Sequence, residues 1–282
     1  MPIIQLEDLA YSYAGSERKA LDNVSLSVER GEFILLTGPS GCGKTTLCRC
    51  LNGLVPHFYG GQVEGKALVA GHDVLSTPIH EMARHVGFVF QSPENQLFAL
   101  SVERDVAFGL ENLGVPRAEI RKRVEWALIQ VGMDAFRLAA PYELSGGQQQ
   151  RVAIASVLAM QPEVLVLDEP TSFLDPASAL RVLQLLHKLN KELLLTILLV
   201  EHRLDMASVY ASRIVVMNEG RVALDGPPRS VLFLEQPRLY GVGVPRVVRL
   251  FHLLREHGVR FEHTPLTAEE AAEALRRGPL AG

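Results

Sequence analysis

Four stretches of this 282-residue chain are built on continuous apolar runs: FILLTG (33–38), VGFVF (86–90), VLVLDE (164–169) and LLLTILLV (193–200). A strand with one face in water alternates apolar and polar residues, so an unbroken run signals burial on both faces. A parallel sheet with helices on each side supplies that burial. Helical segments fall between the runs, at 44–52, 177–190 and 203–209, and the alternation predicts an α/β doubly wound core. With 48% of its residues apolar, the chain can fill such a core.

The first stretches differ. IIQLEDLAYSY and VSLSVE alternate with period two, Val24, Leu26 and Val28 sharing a face, which predicts an antiparallel β subdomain with one wet side. Residues 92–160 interrupt the core pattern. Helices are expected there at 101–113, 117–131 and 146–160 with no strand, so the segment reads as an inserted helical subdomain. These parts compose one domain over 1–235. A tail over 236–282 follows GRVALDG (220–226): Val244, Val247, Val248, Phe251 and Leu254 keep helical spacing, and TAEE (267–270) reads as a capping box on a last short helix.

A net charge of −4 supplies no basic field, so no nucleic acid is expected. The N-terminus lacks the basic start and apolar segment of a secretory leader. LLLTILLV falls far short of the roughly 20 apolar residues that cross a bilayer, so any membrane spans would come from another chain. Cys42, Cys48 and Cys50 form no disulfide framework, which favours a reducing cytoplasm. His80 and His85 are five apart, whereas a zinc helix needs four; they read as surface histidines.

Chemistry gathers at the ends of the apolar runs. Gly38, Gly43, Lys44 and Thr45 spell G-x-x-x-x-G-K-T between the run FILL and a helix, with Ser40, Gly41 and Thr46 completing the loop. Backbone N–H groups of such a loop wrap phosphates, the lysine neutralises them, and the Thr45 hydroxyl is suited to Mg²⁺. VLVLDE ends in Asp168 and Glu169, at the strand end where open α/β sheets bind ligands. The natural division gives Asp168 the metal and Glu169 the attacking water. Two further runs end in Gln91 and in Glu201–His202, placing Gln91 near the metal or water and His202 near the γ-phosphate. Taken alone His202 reads as an incidental polar residue; the shared strand-end position favours the site.

A second anion-binding pattern lies downstream. In LSGGQQQR, Ser145 is an N-cap, and Gly146, Gly147 and Gln148 open a helix with free N–H groups. A solvated helix cap is the plain alternative, but it leaves two adjacent glycines unexplained; close approach to an anion explains them.

The order GPSGCGKTT, Gln91, LSGGQ, VLVLDEP, SFLD and His202 resembles the ABC-type ATPases over residues 3–235. That resemblance implies a phosphate-loop NTPase core, ATP hydrolysis with Mg²⁺ at Thr45, Gln91 and Asp168, and a head-to-tail dimer. Each ATP would lie between one subunit's phosphate loop and the partner's LSGGQ, with Asp175 aligning the halves. An aromatic stacks on adenine in the family; Tyr13 fits that role and Tyr11 is the fallback, with a core tyrosine the plain alternative. Phe173 departs from the family, where alanine is commoner.

NGLVPH, QSPENQLFALSVERDVAFG and PLTAEE are similar to the energy-coupling-factor (ECF) and cobalt-type importers. This implies a cytoplasmic subunit on the inner face of the cell membrane, powering uptake of vitamins or metal ions. Its partners would be a second ATPase subunit, identical or paralogous, a transmembrane coupling component and a membrane substrate-binding component. Leu97, Phe98 and Leu100 would face the coupling helices, burial in the helical subdomain being the alternative, and the tail would add dimer contacts. Two other functions stay open: a conventional importer ATPase with a solute-binding protein, and a soluble ABC ATPase acting on nucleic acid or ribosomes.

Overall fold

The computed structural model describes residues 2–234, 237 and 240–278. Strands β1 (Ile4–Ser12), β2 (Leu21–Val28) and β3 (Phe33–Thr37) come first, then helices α1 (Lys44–Leu51) and α2 (Leu54–His57). Next are β4 (Gln62–Val69), β5 (His72–Asp73), α3 (Ile79–Met82) and β6 (Val86–Val89). Helices α4 (Val102–Asn112), α5 (Arg117–Val131) and α6 (Gly146–Leu158) follow, and β7 (Val164–Asp168), α7 (Pro176–Leu193), β8 (Thr196–Val200) and α8 (Leu204–Ala207) resume the alternation. After β9 (Arg213–Asn218), β10 (Arg221–Gly226) and α9 (Pro228–Phe233), the tail holds α10 (Arg246–Glu256) and α11 (Ala268–Arg277).

The strands form two sheets. One is antiparallel, β2-β1-β4-β5, and the other runs β10-β9-β3-β8-β7-β6, parallel except at the β10 edge. The four apolar runs are adjacent parallel strands, β3-β8-β7-β6, with β6 at the sheet's edge, and β3, β7 and β8 are buried along their whole length. Their side chains alternate between two cores. Phe33, Leu35, Leu165, Leu167, Ile197 and Leu199 face the helical side, against α4–α7. Ile34, Leu36, Val164, Val166, Leu198 and Val200 face α1 and the antiparallel sheet. Each fully buried leucine or valine contributes roughly 1.5–3 kcal/mol, which is why such a run fits only where both faces are covered.

Four strands, β4, β5, β9 and β10, lie where the sequence reading placed none. β9 is a fifth buried run, IVVM within Arg213–Asn218, and β4 pairs with β1 despite the exposed Glu64, Gly65 and Lys66 at its centre. Between 92 and 160 the described elements are helical, with α6 packing on α4 and α5 and also against β6. The proposed boundary at 235/236 falls outside the described residues. The tail is tied back by Arg229 of α9 to Glu270 of α11 at 2.7 Å, and by Arg246 N–H to Asp205 at 2.8 Å. Only half of the expected capping box forms: Thr267 accepts from the Glu270 N–H, but the Glu270 carboxylate accepts from Leu266 rather than from Thr267.

His80 is exposed, but His85 is not a free surface group; it lies half-buried, 3.0 Å from Glu163 and with its ring tilted against that of His72. All three cysteines are buried, and burial pushes their thiols upward, Cys50 to about 12, so they act as core residues. Among the described residues no helix is long and apolar enough to cross a membrane.

Candidate functional site

Parallel register brings the run ends to one edge. Asp168 pairs level with Val200, Val200 with Leu36, and Leu167 with Val89. The loops leaving β3, β8, β7 and β6 therefore meet, carrying the phosphate loop, Glu201–His202, Asp168–Glu169 and Gln91.

The phosphate loop depends on missing Cβ atoms. Gly38 has φ +146°, and a Cβ there would lie 2.2 Å from the Met217 carbonyl oxygen; at Gly43, φ +107°, it would lie 2.5 Å from the Ala20 oxygen. Gly41 also has positive φ, and Ser40 before it is exposed. Gly43 caps α1 with no side-chain hydrogen bond, so the first-turn N–H groups of α1 take no side-chain cap. Lys44 is buried, its ammonium donating to the Gly38 and Pro39 carbonyls at 2.9 Å each. Thr45 Oγ1 donates to Asp168 at 3.3 Å, and Thr46 Oγ1 lies 3.1 Å from the Tyr13 hydroxyl. Tyr13 is thus half-buried beside the loop. Tyr11 is a core residue, 1% exposed, its hydroxyl donating to Gly60 O at 2.8 Å. The core alternative therefore applies to Tyr11.

Asp168 is 8% exposed, and burial pushes its carboxyl above the usual range against the opposing pull of the Thr45 hydrogen bond. A buried carboxylate beside a hydroxyl and a second acid is a hard oxygen donor set, which fits a magnesium-sized cation. Glu169 has a left-handed backbone, φ +49°, fixed by its N–H donating to Val200 O at 3.1 Å. Three side chains converge on its carboxylate. Gln91 Nε2 donates to Oε2 at 3.3 Å, Ser172 Oγ donates to the same oxygen at 3.0 Å, and His202 Nε2 lies 3.0 Å from Oε1. Sequence reasoning missed Ser172: it stands in SFLD, but nothing in its spacing shows that the chain folds it back onto Glu169.

The second anion-binding pattern is built on the N-terminus of α6. Ser145 N-caps α6, accepting from Gln148 N–H at 3.4 Å while Gln148 Oε1 accepts from Ser145 N–H at 2.8 Å. Ser145 and Gly146 are exposed. Gly147 has a reason inside the chain: a Cβ there would lie 2.9 Å from the Ser178 Cβ on α7, so this glycine needs no anion to explain it. At Gly146 the nearest neighbour is Leu174 Cδ2 at 3.4 Å, ordinary contact. Asp175, exposed, N-caps α7 by accepting from Ser178 N–H at 2.9 Å, which holds its carboxyl below the usual range. Phe173 projects into solvent, 73% exposed. Leu97 packs on the core, whereas Phe98 and Leu100 are 65% and 77% exposed, Phe98 edge-on to Phe108.

A buried strand, a glycine loop with its lysine, and an acidic pair on the neighbouring strand define a phosphate-loop nucleoside triphosphatase. Known proteins narrow the class. The ABC transporter family model matches residues 21–172. The Bacillus subtilis energy-coupling factor transporter ATP-binding protein EcfA1 is 42% identical, over 97% of this chain and 96% of that one. An ABC transporter ATP-binding protein of Methanosarcina acetivorans is 50% identical over 86% of the chain, which spans only 40% of that relative's length. Among solved structures, cbiO1 of Clostridium perfringens, part of the ABC transporter complex cbiONQ, matches with TM-score 0.76 and 38% identity, covering 90% of this chain and 99% of that one. The dimeric ATP-binding cassette MJ0796 bound to ADP and phosphate matches with TM-score 0.69 and 31% identity, over 80% of this chain and 99% of that one. The chain belongs to the ABC transporter ATP-binding family.

Proposed function

We propose that this chain is the ATP-hydrolysing subunit of an ECF-type importer, working head to tail with a second ATPase subunit on the inner face of the membrane. The observation that carries the catalytic part is the Glu169 carboxylate, gripped by Gln91, Ser172 and His202 at one end of the buried sheet. So held, Glu169 takes a proton from the attacking water while His202 and Gln91 orient the water and the γ-phosphate. Lys44 and the loop N–H groups, Gly38 to Thr46, bind the phosphates, and Tyr13 stacks on adenine. Thr45, Asp168 and Gln91 would hold Mg²⁺, which screens phosphate charge when bound.

The head-to-tail dimer is supported by the exposed surface that Ser145, Gly146 and Asp175 form. Gln148 and Gly147 complete that surface. The exposed Phe98 and Leu100 suit an apolar groove on a transmembrane coupling component, and α10 and α11 add to the ATPase dimer. The ECF assignment is supported by the likeness to EcfA1 and cbiO1. ATP closes the pair, hydrolysis reopens it, and the segment after Gln91 passes the motion on.

Two experiments test this. Glu169→Gln should retain ATP binding, lose about 10²–10³-fold in turnover, and accumulate as an ATP-bound dimer in sedimentation. Turnover at the wild-type rate would remove Glu169 as the base. Purification of the tagged chain from its native membrane should bring down a coupling component and a small membrane substrate-binder. Recovery with a soluble solute-binding protein, or with ribosomes, would overturn the ECF reading.

A further inference from the structure

Glu201 is 1% exposed, and among the described residues no ion pair links it to a cation. A carboxylate buried this deeply costs several kcal/mol unless its oxygens are satisfied. Both are. Oε1 accepts from the His202 N–H at 2.8 Å and from the Arg203 N–H at 3.0 Å, and Oε2 accepts from the Thr171 hydroxyl. The two oxygens thus hold two different segments, the exit of β8 and the turn after β7.

Both segments lead to one place. His202, whose main chain Glu201 Oε1 fixes, reaches Glu169 Oε1 with its ring. Thr171, which Oε2 fixes, is followed by Ser172, whose hydroxyl reaches Glu169 Oε2. Two arms leave separate oxygens of one carboxylate and end on separate oxygens of another. Arg203 reinforces the second arm, donating to Leu174 O at 3.1 Å and to Ser172 O at 3.5 Å, just ahead of Asp175.

We propose that Glu201 is a positioning residue for ATP hydrolysis, fixing through His202 and through Thr171–Ser172 the orientation of the Glu169 carboxylate. Glu201 touches no reacting atom. It acts on the turn leading to Asp175, so the same clamp ties the geometry of Glu169 to the segment placed at the subunit interface. The inference rests on the reading of Glu169 as the base.

The test compares Glu201→Ala, Glu201→Gln and Thr171→Val in the full chain, with turnover and equilibrium ATP binding measured side by side. A carboxamide can accept from both N–H groups and donate to the Thr171 oxygen, so Glu201→Gln should keep kcat within about threefold of wild type. Glu201→Ala should lower kcat roughly 10²-fold, the loss expected of a misplaced catalytic group, with ATP affinity within about twofold. Thr171→Val, which leaves Glu201 and its backbone donors in place, should lower kcat about tenfold at unchanged affinity, and it carries the test if Glu201→Ala does not fold. Adding Ser172→Ala to Thr171→Val should cost no more than the worse single change, because both cut one arm. The inference is overturned if Thr171→Val and Glu201→Ala turn over at the wild-type rate, if Glu201→Gln is as impaired as Glu201→Ala, or if affinity falls in step with kcat. Glu169→Gln separates the two failures: should it be inactive while Glu201→Ala is normal, only the positioning role falls; should it be active, the reading of Glu169 falls first.

Discussion

The phosphate loop and the LSGGQ segment are both helix N-termini with paired glycines, yet they are built on opposite plans. At α1 no side chain caps the helix, and the glycines at 38 and 43 exist because neighbouring carbonyls press on the loop. Lys44, Thr45, Asp168 and Tyr13 close around it from three elements. At α6 the cap is local: Ser145 and Gln148 satisfy one another, and Gly147 lets α6 approach α7. One loop is assembled by the whole fold; the other carries a locally satisfied cap at an exposed position. The first therefore suits binding within a chain, and the second suits presentation to a partner.

The sharpest way to break this contrast is to disable each loop in turn. Lys44→Ala should abolish ATP binding by the isolated chain, whereas Ser145→Arg should leave that binding intact and remove only turnover, both read by titration and phosphate release. Equal loss of binding in the two variants would erase the distinction. Mixing the two variants should restore one undamaged composite site per dimer. A smaller effect is expected at Gly147→Ala, where the added methyl meets the Ser178 Cβ. About 1–3 kcal/mol of stability should be lost in denaturant unfolding, because α7 cannot retreat without disturbing its own cap at Asp175. Gly146→Ala, meeting only ordinary contact, should cost less; the reverse order would mean that the glycines serve the anion alone.

The smallest effect concerns Asp168. Burial raises its folded-state pKa above the unfolded value, so the native chain holds that proton more tightly. This group accordingly favours folding at acid pH and loses that contribution as pH rises through the unfolded and then the folded pKa. Asp168→Asn should remove this pH dependence and raise the apo melting temperature near neutrality by about 2–4 °C, the shift that 1 kcal/mol makes in a large domain, while Mg²⁺-dependent turnover is lost. A fall in melting temperature would show the Thr45 hydrogen bond outweighing burial.

The central sheet was legible because four runs are apolar on both faces, as strands covered on both sides require. β9 carried the same signal in IVVM and was overlooked, being short and framed by Arg213 and Asn218. β4 gave no such signal: Glu64, Gly65 and Lys66 hide its pairing, which is fixed by β1 rather than by its own pattern. The phosphate loop and the acids could be read from spacing because local geometry dictates it. Ser172, Thr171 and Glu201 could not. The Thr171–Glu201 bond joins positions 30 residues apart, and Ser172 reaches Glu169 only through the turn between them; hydroxyl and carboxylate side chains carry no periodicity that reports either meeting. Gly147 misled for the same reason: the atom that explains it belongs to another helix.

The left-handed backbone at Glu169 sets a direction for evolutionary drift. A side chain other than glycine, asparagine or aspartate pays about 1–2 kcal/mol to sit at that φ. On the reading of Glu169 as the base, replacement by glycine or asparagine relaxes the main chain and removes the carboxylate together. Selection for turnover thus holds this position against a thermodynamic slope, and wherever that selection lapses in a duplicated copy, a sturdier chain that still binds ATP but no longer splits it lies one substitution downhill.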